Sequence, residues 1–186
     1  MRKINFFVVL LAAAMVSACG SKQKLSDGEV EIITPCSGPE FMTDGEYFRA
    51  SAVGSSTDQT IAKKKAQTTA RTEIATAISS KVKAVTDDYL SSYSVGENDE
   101  SKRRFQELSR TVVDQQLNGV RTICEKTTKT KEGLYKVYTA LELGGDEIAN
   151  AMANRIKNDD KLRIDFEYEK FKKVFDSEMQ KLADEK

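Results

Sequence analysis

Two serine–lysine pairs, three acidic doublets and one glycine doublet are the short patterns in this sequence that could carry chemistry. Ser21-x-x-Lys24 and Ser80-x-x-Lys83 have the spacing of a serine nucleophile activated by lysine. No partner motif follows either, and so short a pattern recurs by chance. Asp87-Asp88, Asp99-Glu100 and Asp159-Asp160 offer carboxylates without the ligand spacing of a calcium loop, so they read as helix-end residues. Gly144-Gly145 stands before a helical pattern but lacks the Lys and Ser/Thr of a phosphate loop. The 186 residues include no histidine and no tryptophan. The first absence removes Ser-His and Cys-His nucleophile systems, histidine-ligated zinc and the commonest general base. The second removes a tryptophan-lined sugar platform. The expectation is a protein without catalytic residues, metal or cofactor.

The three cysteines are more informative. Arg2 and Lys3 are followed by Ile4 to Ala18, apolar or small except for Asn5 and Ser17. A basic start, a short apolar run and small residues before a cut site make a signal peptide over residues 1–18. The run is too short for a bilayer span, which needs ~20 apolar residues. Val16-Ser17-Ala18-Cys19 resembles the lipobox of bacterial lipoproteins, which implies cleavage before Cys19 and acylation of that cysteine. Gly20 rather than Asp follows, and Gly20 to Lys24 carries no acidic cluster. By the same resemblance the protein is expected on the outer membrane, facing the periplasm. Cys36 and Cys124 then remain in an oxidising compartment. They are either joined by a bridge worth ~4 kcal/mol or left as two half-buried thiols.

Loss of Arg2 and Lys3 with the signal takes 29 basic residues to 27 against 29 acidic ones, a net charge of −2. That balance gives no electrostatic case for nucleic acid or for a polybasic membrane patch. Residues 19–45 read as a lipidated tether and an irregular lead-in containing both prolines, Pro35 and Pro39. Glu46 to Ser55 alternates Phe48, Ala50, Ala52 and Gly54 with Arg49, Ser51 and Val53, which predicts a strand. A long helix follows, with Ser56 and Gln59 as a capping box. Its apolar face runs through Ala62, Ala66, Ala70, Ile74, Ala77, Ile78, Val82, Val85 and Tyr89. Lys63, Lys64, Arg71, Glu73, Lys81 and Lys83 are assigned to the solvent side. A second helix is expected from about Asp99 to Leu117. A hairpin then joins Val120–Lys126 to Leu134–Leu143, although Ile123 is out of phase with Val120 and Cys124 and the register there is open. Asp146 is expected to cap a short helix. After residue 157 a separate amphipathic helix carries Ile164, Tyr168, Phe171, Phe175, Met179 and Leu182 at a four-and-three spacing, close to a coiled-coil seam.

The stretch Ala50-Ser51-Ala52-Val53-Gly54-Ser55, with Ala62, Ala66, Ala70 and Ile74, resembles the Lpp-twenty family of envelope lipoproteins. So does Tyr135-Lys136-Val137-Tyr138-Thr139-Ala140-Leu141-Glu142-Leu143. Related domains occur in proteins that help assemble the flagellar motor. The resemblance covers about residues 45–157. It implies an α+β fold, a three-stranded antiparallel sheet packed on a long helix, over 46–157, and a structural or protein-interaction role without catalytic residues. Two functions are carried forward. In the first, the chain is a membrane-anchored interaction protein using the seam of residues 158–186 for a partner or for self-association. In the second, it is a periplasmic small-molecule or glycan-binding module with Tyr89, Tyr135 and Tyr138 near its site.

Overall fold

The long helix sets the architecture. In the computed structural model, which describes residues 32–93, 99–164 and 166–184, helix α1 spans Gln59–Tyr93. At 1.5 Å per residue its 35 residues reach ~52 Å. Strand β1 (Tyr47–Ser56) precedes it, and helix α2 (Asp99–Gln116) follows. Strands β2 (Arg121–Lys129) and β3 (Tyr135–Gly144) form a hairpin, then come helix α3 (Gly145–Lys157) and helix α4 (Tyr168–Asp184). The sheet order is β1-β3-β2, antiparallel throughout. The fold is α+β, as the strand and helix periodicities predict.

Ten-residue strands cover ~34 Å, so α1 outruns the sheet and must be small along one half and large along the other. Ala62, Ala66 and Ala70 are fully buried where α1 lies on β1 and β3. Further along, Ile74, Ile78, Val82, Val85 and Tyr89 fill the core with α2 and α4 on either side. The inner face of β3 contributes Val137, Thr139, Leu141 and Leu143, all at most 1% exposed. β2 is not held under α1. Its residues are exposed apart from the half-buried Cys124.

Four local expectations change. The cap of α1 is Asp58, whose carboxylate accepts from the Ile61 amide at 2.9 Å; Ser56 instead accepts from Asp58 N–H. The phase conflict at Ile123 is a β-bulge: the register with β3 shifts between Thr122 and Cys124, leaving Ile123 as the extra residue. Asp146 does not cap α3, which starts at Gly145 without a side-chain cap; Asp146 sits in the first turn and pairs with Lys172 of α4 at 3.1 Å. The fourth is a division at 157/158, which is absent from the contact pattern. Ile33–Lys186 forms one compact unit, into which residues 33–45 and α4 are both built.

Candidate interaction surfaces

Cys36 and Cys124 are joined by a disulfide. The sequence prepares it locally: Pro35 and Cys36 form a tight turn in which Cys36 takes φ 58°, and Ser37 Oγ donates to Thr34 O at 2.7 Å. Downstream, Thr43 acts as a surrogate strand residue on the open edge of β1. Its hydroxyl accepts from Arg49 N–H and lies 2.9 Å from Arg49 O. The 34–45 segment therefore crosses the sheet face opposite α1 as a strap, from the β1 edge to β2. Ala140, paired in register with Cys124 on that face, is fully buried. Arg49 ties strap to sheet by bonding Asp44 and, at 2.7 Å, Glu142. The bridge closes an 88-residue separation, for which chain entropy gives about 4.6 kcal/mol. Paired Cys36→Ser and Cys124→Ser substitutions are expected to lower the unfolding free energy by that order, read by urea denaturation; an unchanged midpoint would mean the strap is not covalently closed.

The apolar seam of the terminal helix faces inward. Phe171, Phe175 and Met179 are at most 1% exposed, Leu182 packs against the same core and Tyr168 is half-buried. Only Ile164, which precedes α4, stays outside, 78% exposed. The seam is thus a core element and not a free face: Phe171 meets Tyr89 edge-on at 5.6 Å, and Phe166 lies 5.5 Å from it.

One residue of α1 assigned to solvent is buried as well. Lys81 is 7% exposed and its ammonium lies 3.1 Å from the Glu178 carboxylate of α4. Burial opposes ionisation of Glu178, but bonds from Lys181 and Lys81 outweigh it and hold its carboxyl below the usual range. Removing one partner of a buried pair strands the other. Glu178→Leu is expected to cost ~3–4 kcal/mol because Lys81 loses its counter-charge. Lys81→Met should cost ~1–2 kcal/mol, since Glu178 keeps Lys181. Equal costs in thermal unfolding would contradict this asymmetry.

Asp44 and Asp159 are held low in the same way. Burial raises both, and it is outweighed by backbone amides and by Arg49 for the first, and by Arg104 and backbone amides for the second. A depressed folded pKa means the native state binds fewer protons than the unfolded chain. The stability these three carboxylates supply is present above their ordinary values near ~4 and is lost as pH falls through the lower folded ones. Urea midpoints should therefore drop steeply below about pH 4.

The tyrosines do not build a platform. Tyr89 is in the core, with Glu167 N–H donating to its hydroxyl at 2.9 Å. Tyr135 and Tyr138, three residues apart on one strand, point to opposite sheet faces. Ser80 and Lys83 are both exposed on α1, and Lys83 borders a groove of about 340 Å³ between α1 and α2. At the floor of that groove the hydroxyls of Thr86 and Ser109 bond each other at 3.2 Å. Among the described residues no group of three or more Cys, Asp or Glu is placed to hold a metal ion. Asp159 serves instead as a local cap, accepting from Lys161 and Leu162 N–H. Cys19, Ser21 and Lys24 lie outside the described residues.

A feature the linear sequence hides lies where the hairpin turns. The antiparallel register sets Ser56 opposite Tyr135, so the start of α1 and the hairpin turn share one end of the sheet. Lys63, Lys64 and Lys65 are exposed there on α1. Lys126, Lys129, Lys131 and Lys136 are exposed on the hairpin, with Lys129 Nζ 4.7 Å from the centre of the Tyr135 ring. The acidic residues at this end are Asp58, Glu125, which pairs with Lys63 at 2.8 Å, and Glu132. Val53, Ile61 and Leu134 are exposed at the same end. At the opposite end Asp44, Glu46, Glu142, Asp146, Glu147 and Asp176 outnumber Arg49, Arg121 and Lys172. The near-zero net charge conceals a sheet that is basic at one end and acidic at the other.

Comparison of the chain with protein-family models, curated proteins and solved structures finds no match.

Proposed function

We propose that this chain is a non-enzymatic envelope lipoprotein, acylated at Cys19, with a structural or protein-interaction role on the periplasmic face of the outer membrane. The observation that carries the reading is the Cys36–Cys124 bridge, because persistent disulfides belong to oxidising, extracytoplasmic compartments. The apolar run ending in Val16-Ser17-Ala18-Cys19 supplies the export and lipidation pattern that such a location needs. The resemblance to Lpp-twenty lipoproteins supports the same role, and membership in that family is proposed on those residue patterns. The lack of histidine, and carboxylates engaged in caps and ion pairs, favour binding over catalysis.

Metabolic labelling with a palmitate analogue, with Cys19→Ser as control and globomycin to block processing, tests the anchor. Label on the parent and none on the variant is expected; an unlabelled parent overturns it. In-cell cross-linking from the exposed faces of α2 and α3 then tests the interaction role, with a discrete protein adduct expected. Binding of a small molecule remains the second reading, supported by the groove between α1 and α2. A thermal shift with envelope glycans or peptides, lost on Ser79→Trp at the exposed rim of that groove, would favour it over the first.

A further inference from the structure

We infer that the basic end of the sheet is a docking surface for an anionic phospholipid bilayer. Two independent features converge on it. Lysines from two segments some sixty residues apart in sequence are gathered at one end, while carboxylates dominate the other. Exposed apolar side chains, Ile61 at the start of α1, Leu134 at the hairpin turn and Val53 on β1, stand among those lysines. Long lysine stems around a few apolar side chains suit the headgroup layer: the ammonium groups meet lipid phosphates and the apolar groups enter the acyl boundary. Each lysine near an anionic leaflet contributes about a fivefold factor in affinity, and the attraction fades within a Debye length.

The covalent geometry is compatible with this orientation. Cys36 stands seventeen positions after Cys19, and a chain of that length spans at most ~60 Å. Cys36 is fixed to Cys124, five strand residues, or ~17 Å, from Lys129. A chain acylated at Cys19 can therefore lay this end on the membrane that anchors it, with the acidic end and the free faces of α2 and α3 turned away. The docking surface goes beyond the anchored reading and does not depend on it, since the lysines act without the acyl group.

The test uses the chain from residue 20 to 186, free of lipid, in co-sedimentation with phosphatidylcholine vesicles made with and without phosphatidylglycerol. Binding to the anionic vesicles alone is expected, weakening as salt is raised. Lys126→Gln, Lys129→Gln, Lys131→Gln and Lys136→Gln together should reduce it at least tenfold. Neutralising Lys102, Arg110, Lys157 and Lys173, exposed elsewhere, should leave it within about twofold. Circular dichroism confirms that both variants stay folded, and if the first does not, Leu134→Ser with Ile61→Ser replaces it, again with a loss expected. No binding, equal binding to both vesicle types, or equal losses in the two charge variants overturns the inference. So does binding confined to an acidic peptide at the open edge of β1. Palmitate labelling reads the anchor separately, so either proposal can fail while the other stands.

Discussion

Gly54→Val is expected to leave the protein unable to fold stably, and Gly54→Ala to cost ~3 kcal/mol or more. A Cβ at this position would run into the carbonyl oxygen of Ala62, come within 2.5 Å of the Ala66 nitrogen and within 2.9 Å of the Lys65 Cβ. The first two are helix backbone, which cannot swing aside as a long side chain does. Relief requires α1 to lift off β1, opening gaps along the Ala62, Ala66 and Ala70 contact. Overpacking of this kind ordinarily costs ~1–3 kcal/mol, and obstruction by backbone places it at or beyond the upper limit. In a domain of this size each kcal/mol moves the melting temperature by ~2–4 °C, so Gly54→Ala should melt ~10 °C lower. Gly133 is the control: its φ of +88° disfavours a side chain, but nothing lies within 4 Å of the added carbon. Gly133→Ala should cost only ~1 kcal/mol of backbone strain. If Gly54→Ala melts within a degree or two of the parent, the close approach of strand and helix is not a constraint.

Phe171→Ala should destabilise by ~3–5 kcal/mol, the usual cost of removing a fully buried aromatic ring. Phe171 joins α4 to the rest of the core through Tyr89 of α1, 5.6 Å away, with Phe166 and Phe175 beside it at 5.5 and 6.3 Å between ring centres. The same seam could have been a surface for a partner. The two cases differ in a measurement on the isolated protein. A surface phenylalanine changes unfolding by less than ~0.5 kcal/mol, whereas a core one lowers the denaturation midpoint substantially. Ile164→Ser supplies the internal comparison and should be close to neutral, since Ile164 is exposed. For the same reason, deleting residues 160–186 would strip the core of Leu162, Phe171, Phe175 and Met179 and leave Lys81 without Glu178. It would remove the fold along with any interaction, so the role of α4 is better read from single substitutions.

Much of this architecture was legible because helix and strand periodicities survive in the sequence. The buried face of α1 from Ala62 to Tyr89 follows the three-and-four spacing, and the alternation in β3 places Val137, Thr139, Leu141 and Leu143 together. What escaped were relations between distant segments. The seam of α4 was visible as an apolar stripe, but a stripe does not say whether it meets the chain's own core or another molecule. Lys81 stands three residues after Ile78 and four before Val85, on the margin of the apolar face; Glu178, which neutralises it, is 97 residues away. Ile123 broke the alternation of β2 because a bulge inserts it, and a bulge has no signature in a strand this polar. The basic end was missed because net charge sums over the whole chain and discards position. Two lysine runs flanking strands that pair antiparallel are the signal that could have found it.

The disulfide strap also decides how the domain bears force. If the chain is anchored at Cys19 as proposed, a pull from the membrane reaches Cys36 and passes directly to Cys124 in β2, not to the N-terminal end of β1. β1, α1 and α2 lie inside the covalent loop and are shielded from that tension. The load enters β2, the outer strand of a pair whose bonds to β3 extend on both sides of Cys124. With the bond reduced, the same pull would first strip the strap from Arg49 and then peel β1 from one end, breaking contacts singly. In mechanical terms Cys36 moves the point of attachment from the end of the chain to the interior of an edge strand.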